Sequence, residues 1–248
     1  MKKRKFLTTL MVVLFSFTSL IYLIKVTPVY SRNSEIERRV FVHYPKIKGG
    51  KVPLTPTDQV TDYKYTRIHW LGTNPQVIYY VNPQNNIGID VATAKVAIDS
   101  AFATWDLADT SGNDLTFRDG GITAKNTTVN PSMDFYNTVS WEPLSSTYPS
   151  AIAVTYFWYY RTTKELVEVD TLLNEDLPWS VNPYGTVGFS SFDVQNITTH
   201  EVGHWLVLGD LYKWRDSELT MYGYASMGET KKDTLGTGDI LGINRIYP

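Results

Sequence analysis

Hydrophobic and polar positions along the chain fall into blocks of different period. Residues 6–24, FLTTLMVVLFSFTSLIYLI, are uncharged with no polar face, and stand between KKRK at 2–5 and Lys25. A basic start followed by an apolar run is an export pattern, and this run is just long enough to cross a bilayer once. Residues 1–31 therefore read as a cleaved signal peptide, with Val29-Tyr30-Ser31 as a weak cleavage site, or as an uncleaved signal anchor. Both leave the positive charge inside and the rest of the chain outside, secreted or tethered to the outer face of the membrane. Residues 32–64 are rich in charge, Pro, Gly and Thr (KIKGGKVPLTPTDQ) and read as a linker or leader segment.

From Tyr65 to residue 248 the pattern is that of a folded domain. QVIYYV at 76–81, closed by Asn82-Pro83, reads as a strand. Val91, Ala94, Ile98, Phe102 and Trp105 share one face of a helix over 91–106, which Asp90 can cap. Short strands are expected at 115–117 (LTF) and 138–141 (TVSW). The strongest strand signals are AIAVTYFWYY at 151–160 and ELVEVDTLL at 165–173. Ser190, with Asp193 three residues on, opens a helix over about 191–206. A last helix follows Thr237, with Ile240, Ile243 and Tyr247 on one side. Strands come mainly first and helices are segregated, which is α+β in a single domain.

Composition narrows the function. Lys and Arg number 23, Asp and Glu 25, and the net charge is −2. Without a basic excess to neutralise phosphates, a nucleic-acid partner is not expected. Cysteine is absent, so no disulfide, thiolate metal site or cysteine nucleophile can form. Any histidine-dependent site must draw on His43, His69, His200 and His204.

Two of those four lie in HEVGH at 200–204. His200 and His204, four apart on a helix, project from one face a turn apart and can bind one metal ion. Glu201 is displaced about 100° from His200, too far to be a third ligand but near enough to exchange protons with a water at the metal. Three fixed positions are a modest signal alone, and the motif continues as HEVGHWLVLGD. If the helix breaks near residue 207, the Asp210 carboxylate can return to the same ion. Two nitrogens, one oxygen and an open position is the layout of a hydrolytic zinc site.

HEVGHWLVLGD, followed by TMYGYASMGE at 220–229 and a short final helix, resembles the metzincin metallopeptidases, most closely the matrixin type. The resemblance covers about residues 65–248, with IDSAFATWD, LTF, NTVSW, AIAVTYFWYY and ELVEVDTLLN before PW in the expected order. It implies a metzincin-like catalytic domain: a twisted mixed β-sheet with two long helices and a short C-terminal helix. It implies one catalytic zinc ion on His200, His204 and Asp210, Glu201 as the catalytic glutamate, and Met221 as the Met-turn residue beneath the metal. Met227 competes for that last role, and Met221 is preferred because Tyr222 matches the family's Met-Tyr pair.

Three departures stand out. Asp210 replaces the usual histidine, which lowers the charge of the site by one and implies a neutral-to-alkaline pH optimum. Val207 stands where the family has glycine. Either the chain turns differently there, using Gly209, or a β-branched residue is strained in left-handed geometry, and a Val207→Gly change should then stabilise the protein. The histidines for a second, structural zinc are missing, and a cysteine-based latency switch is impossible. Asp and Asn are frequent enough for calcium, but no spacing matches a calcium loop, so Ca2+ stays unassigned.

Other features carry paired readings. The strand at 151–160 is either an edge that pairs with an extended peptide substrate or an ordinary core strand. Tyr222 and Tyr224 either wall the pocket beyond the cleaved bond or pack under the Met-turn. Glu168 and Asp170 share a strand face, expected to be solvated. Trp205 is expected to be a core anchor. Asn126 and Asn196 head glycosylation-like tripeptides. The expected protein is an exported, monomeric zinc endopeptidase acting on polypeptide, with membrane contact only through residues 6–24. The alternatives are a catalytically inactive metzincin-like extracellular binding module and a zinc amidase on a non-peptide amide.

Overall fold

A computed structural model describes residues 35–46, 56–72, 74–108, 115–181 and 190–248. The apolar run at 6–24, read as signal or anchor, lies outside the described residues. Among those described, no helix is long and apolar enough to cross a membrane.

In chain order the elements are β1 (Ile36–Pro45), β2 (His69–Trp70), β3 (Gln76–Val81), α1 (Val91–Asp106), β4 (Thr116–Ile122), β5 (Thr138–Glu142), β6 (Ala153–Tyr160), β7 (Glu165–Asn174), β8 (Trp179–Ser180), β9 (Phe192–Asp193), α2 (Val194–Trp205), β10 (Tyr224–Ala225) and α3 (Thr237–Ile246). The main sheet runs β10-β1-β6-β7-β5-β3-β4, with β2 added against β7, and β8 and β9 form a separate pair. β3, β5 and β7 pair in parallel, while β6 is antiparallel to both β7 and β1. This is the mixed-sheet α+β architecture expected.

Helix α1 starts where Asp90 accepts the Thr93 amide, and its apolar face packs on α2. The Trp105 indole donates to the Thr199 carbonyl at 2.7 Å, and Phe102 meets Trp205 edge-on. From the other side the Trp70 indole donates to the Trp205 carbonyl at 2.9 Å. Helix α2 is thus buried all round although its sequence, VQNITTHEVGHW, is largely polar. A polar helix holds such a position only if its groups find partners.

Several expectations change. Residues 36–45, read as part of a linker, are a strand inside the sheet, so folded structure begins well before Tyr65. β6 is not a free edge, because β1 covers it. The N-cap of α2 is Asp193, whose carboxylate accepts the Asn196 amide, in place of Ser190. Glu168 and Asp170 are buried, not solvated. The segment before β5 folds over them, so Glu168 accepts the Asp134 and Phe135 amides and Asp170 accepts the Thr138 amide. Asn196 is also buried, and its side-chain oxygen accepts the Lys232 amide.

Candidate metal centre

The end of α2 sets the site. Val207 N–H bonds to the His204 carbonyl and Leu208 N–H to the Gly203 carbonyl, with Val207 at φ 58°. This pair of bonds around a left-handed residue is a Schellman stop. The reversal is therefore made by Val207 itself and not by Gly209. Left-handed geometry costs a residue with a Cβ about 1–2 kcal/mol, and here it turns the Leu208 carbonyl back toward His204. The Gly209 amide then docks on the Lys64 carbonyl and the Leu211 amide on the Met221 carbonyl, which fixes Asp210 between them.

His200 Nδ1 donates to the Thr220 carbonyl at 2.7 Å, and His204 Nδ1 to the Leu208 carbonyl at 2.8 Å. A carbonyl can only accept, so each Nδ1 carries the hydrogen and each Nε2 is left with a lone pair. Asp210 Oδ2 accepts the Tyr212 hydroxyl at 3.1 Å. The remaining oxygen, Oδ1, stands 3.2 Å from His200 Nε2 and 3.5 Å from His204 Nε2. All three atoms are buried without a hydrogen-bond partner. Ligands 2.0–2.1 Å from a tetrahedral zinc lie about 3.3–3.4 Å from one another. The spacing and the donor set fit a zinc ion with its outer-shell bonds already made.

Without a cation the cluster keeps Asp210 ionised and favours a proton on His204. Burial pushes that carboxyl up, but His204 and His200 outweigh it and hold it well below the carboxylate range. Burial lowers His200 to about 3. It works against charge on His204 too, but Asp210 prevails there and raises it. Zinc and a proton would thus compete for the same atoms.

Glu201 turns to the side of α2 facing β6. Its Oε2 accepts the Thr155 hydroxyl at 2.6 Å, Thr155 is 2.7 Å from the Thr171 hydroxyl, and the Trp205 indole donates to Thr171 at 2.9 Å. Trp205 is therefore a core anchor that also orients the glutamate. Burial pushes Glu201 up to about 7, which suits a group that takes a proton near neutrality.

Met221 is buried under α2 beside Gly203, whereas Met227 is 39% exposed. The Met221 and Thr220 amides donate to Asp239 of α3 at 3.0 and 2.8 Å. Asp239 thereby positions the carbonyl that holds His200. The Tyr222 ring is buried and meets Tyr224 edge-on, while its carbonyl accepts the Lys232 ammonium at 2.6 Å.

Sequence reasoning missed four participants: Tyr212, Asp239, Lys232 and His43. His43 lies in β1 with its ring stacked on His200, centroids 3.9 Å apart, and its Nδ1 donates to Glu201 Oε1 at 3.2 Å. The signal was present, since RVFVHY is a β-rich run holding one of only four histidines. His69 lies apart, in β2.

A search of curated proteins finds no match to this chain. The family model for matrixins matches residues 69–248. That is well over half of the sequence and includes every element from β2 to α3, so the chain belongs to the matrixin family, within the metzincin metallopeptidases.

Proposed function

We propose that the chain is an exported, monomeric zinc endopeptidase. The observation that supports this best is the convergence of His200 Nε2, His204 Nε2 and Asp210 Oδ1 with Glu201 one residue along the same helix. A zinc ion bound there supplies Lewis acidity toward a water molecule and toward the carbonyl oxygen of a peptide bond. Glu201, held through Thr155 and Thr171, removes the proton of the attacking water. It then passes that proton to the leaving amine, so that one carboxylate serves as base and then as acid. Thr220, Leu208 and Tyr212 fix the rings and carboxylate that receive the metal. The basic and then apolar amino terminus supports export.

Glu201→Gln should keep zinc bound at one per chain and lower the cleavage rate of an unfolded protein by about 10²–10⁴-fold. Retained turnover excludes the role given to Glu201. One observation favours the second reading, a non-catalytic binding module: Glu201 Oε1 is taken up by His43. Zinc-dependent hydrolysis by the wild type, abolished by a chelator, rejects that reading.

A further inference from the structure

Where residues 65–70 meet the end of α3, the chain forms a basic cavity. Tyr65 bridges antiparallel to Leu208, and the Thr66 amide docks on the Val207 carbonyl at 3.4 Å. Arg67 then takes a left-handed backbone, φ 65°, and the Ile68 amide returns to the Thr66 hydroxyl at 3.3 Å. Ile68 is buried in the core, and the His69 amide donates to the Lys164 carbonyl at 3.1 Å. Just past α3, the Tyr247 hydroxyl accepts the Trp70 amide at 3.2 Å. These bonds fix residues 65–70 beside α3, so that Arg245, in the last turn of that helix, lines the same cavity as Arg67 and His69.

The cavity measures about 470 Å³ and is lined by Tyr65, Arg67, Ile68, His69, Arg245 and Ile246. Two guanidinium groups and an imidazole face it, and no carboxylate does. Glu165, opposite His69 in the β2–β7 ladder, is not part of the lining. Among the described residues, the side chains of Arg67, His69 and Arg245 have no ion pair or hydrogen bond. Other cations of the protein are matched: Arg38 bonds to Asn130 and Pro131, Arg215 to Asp62, Lys95 to Asp99 and Lys125 to Asp134. Arg245 alone could be there to complement the negative end of α3. That does not account for Arg67, because a left-handed backbone disfavours any residue with a Cβ and glycine would remove the cost. Two like charges kept on one concave wall without a counter-charge attract an anion.

We propose that the cavity lined by Arg67, His69 and Arg245 binds a phosphate group, carried by a small phosphorylated molecule or by the headgroup of an anionic lipid. The fork of an arginine matches the oxygens of a phosphate, and two unpaired cations match a phosphate monoester better than a singly charged carboxylate. The imidazole adds a ring N–H in either protonation state. Tyr65, Ile68 and Ile246 leave an apolar wall for the organic body that carries the phosphate. None of the lining residues holds the metal or touches Glu201, so this binding needs neither zinc nor turnover and goes beyond the peptidase reading.

The test titrates the full zinc-loaded chain with glycerol 3-phosphate by calorimetry. One site per chain is expected, with acetate bound about tenfold or more weakly. Arg67→Gln/Arg245→Gln should weaken glycerol 3-phosphate binding by about tenfold or more, the size expected for lost hydrogen bonds between charged groups. Arg118→Gln, at an exposed arginine of β4, should leave it unchanged. EDTA should also leave it unchanged, and loss of binding with EDTA would place the phosphate on the metal and overturn the proposal. Sedimentation with vesicles separates the two sources of phosphate. If phosphatidic acid vesicles retain the wild type about tenfold more tightly than the double variant, the headgroup is the ligand. If they retain both chains equally while the titration is positive, the ligand is the small ester. Both chains share residues 6–24, so that segment does not enter the comparison. A wild type that takes up no glycerol 3-phosphate and prefers phosphatidic acid no more than phosphatidylcholine refutes the site, whatever the variants do. Binding that persists undiminished in a folded Arg67→Gln/Arg245→Gln refutes it as well.

Discussion

Gly203, the fourth residue of HEVGH, offers the sharpest test of how the metal helix is seated. A Cβ at this position would overlap the Met221 sulfur and come within 2.9 Å of Trp105 Cζ2. Trp105 is held in place, and the Met221 thioether, the flexible end of a buried side chain, has to repack within the filled core. Trp105 is fully buried and bonded to the Thr199 carbonyl, and the Met221 backbone is bonded to Asp239. Alanine in a helix interior normally gains about 0.5–1 kcal/mol over glycine. Overpacking a filled core costs about 1–3 kcal/mol, so steric conflict wins and Gly203→Ala should lose about 1–2 kcal/mol. Met221→Ala should lose about 2–5 kcal/mol, as for other buried large-to-small changes. In the double variant the new methyl enters the space the thioether left. Its loss should therefore be at least about 1 kcal/mol smaller than the sum of the single losses, the size of coupling seen between touching residues. The assay is urea unfolding followed by tryptophan fluorescence, with EDTA present so that metal binding does not enter. Met227→Ala, at an exposed position, should change stability by less than about 0.5 kcal/mol. Additive effects of Gly203→Ala and Met221→Ala would place the methionine elsewhere and refute the Met-turn described.

Two other outcomes follow from the same reasoning. Val207→Gly relieves about 1–2 kcal/mol of left-handed strain, but it forfeits burial of a valine worth about 1.5–3 kcal/mol and adds about 0.5–1 kcal/mol of unfolded-state entropy. The side chain is fully buried, so urea unfolding should show a net loss of about 1 kcal/mol, the reverse of what the motif alone suggested; a gain would mean strain dominates. Burial, with the Glu168 charge beside it, raises Asp170 to about 8 in the folded protein. The folded state therefore holds a proton that the unfolded state releases, and the stability this confers is present in acid and lost as pH rises from about 4 to 8. Asp170→Asn should flatten the pH dependence of the urea midpoint in that window, where one such group contributes up to about 1.4 kcal/mol per pH unit. An unchanged slope would contradict the shift.

The parts of the molecule written in local patterns were legible from sequence. α1 and β3 lie where periodicity, Asp90 and Asn82-Pro83 put them, and HEVGHWLVLGD brought two rings and a carboxylate together as its spacing implied. What escaped was non-local. β1 is a strand because β6 and β10 offer it two hydrogen-bonding edges, and nothing within residues 36–45 announces either partner. Glu168 and Asp170 alternate with apolar neighbours as a wet face would, yet the Asp134–Phe135 turn closes over them. Asp239 serves the site from the last helix through two amides, a role that leaves no trace in spacing. Val207 looked like a defect in the motif, and it is a strained residue retained inside the core.

The central claim is that His200, His204 and Asp210 share one zinc ion. Metal content of the purified full chain, measured by mass spectrometry after equilibration with micromolar zinc and dialysis, tests it most directly when wild type and Asp210→Ala are compared. One zinc per wild-type chain and a small fraction of that in Asp210→Ala is the expected result. No zinc in the wild type, or undiminished zinc in Asp210→Ala, would contradict it.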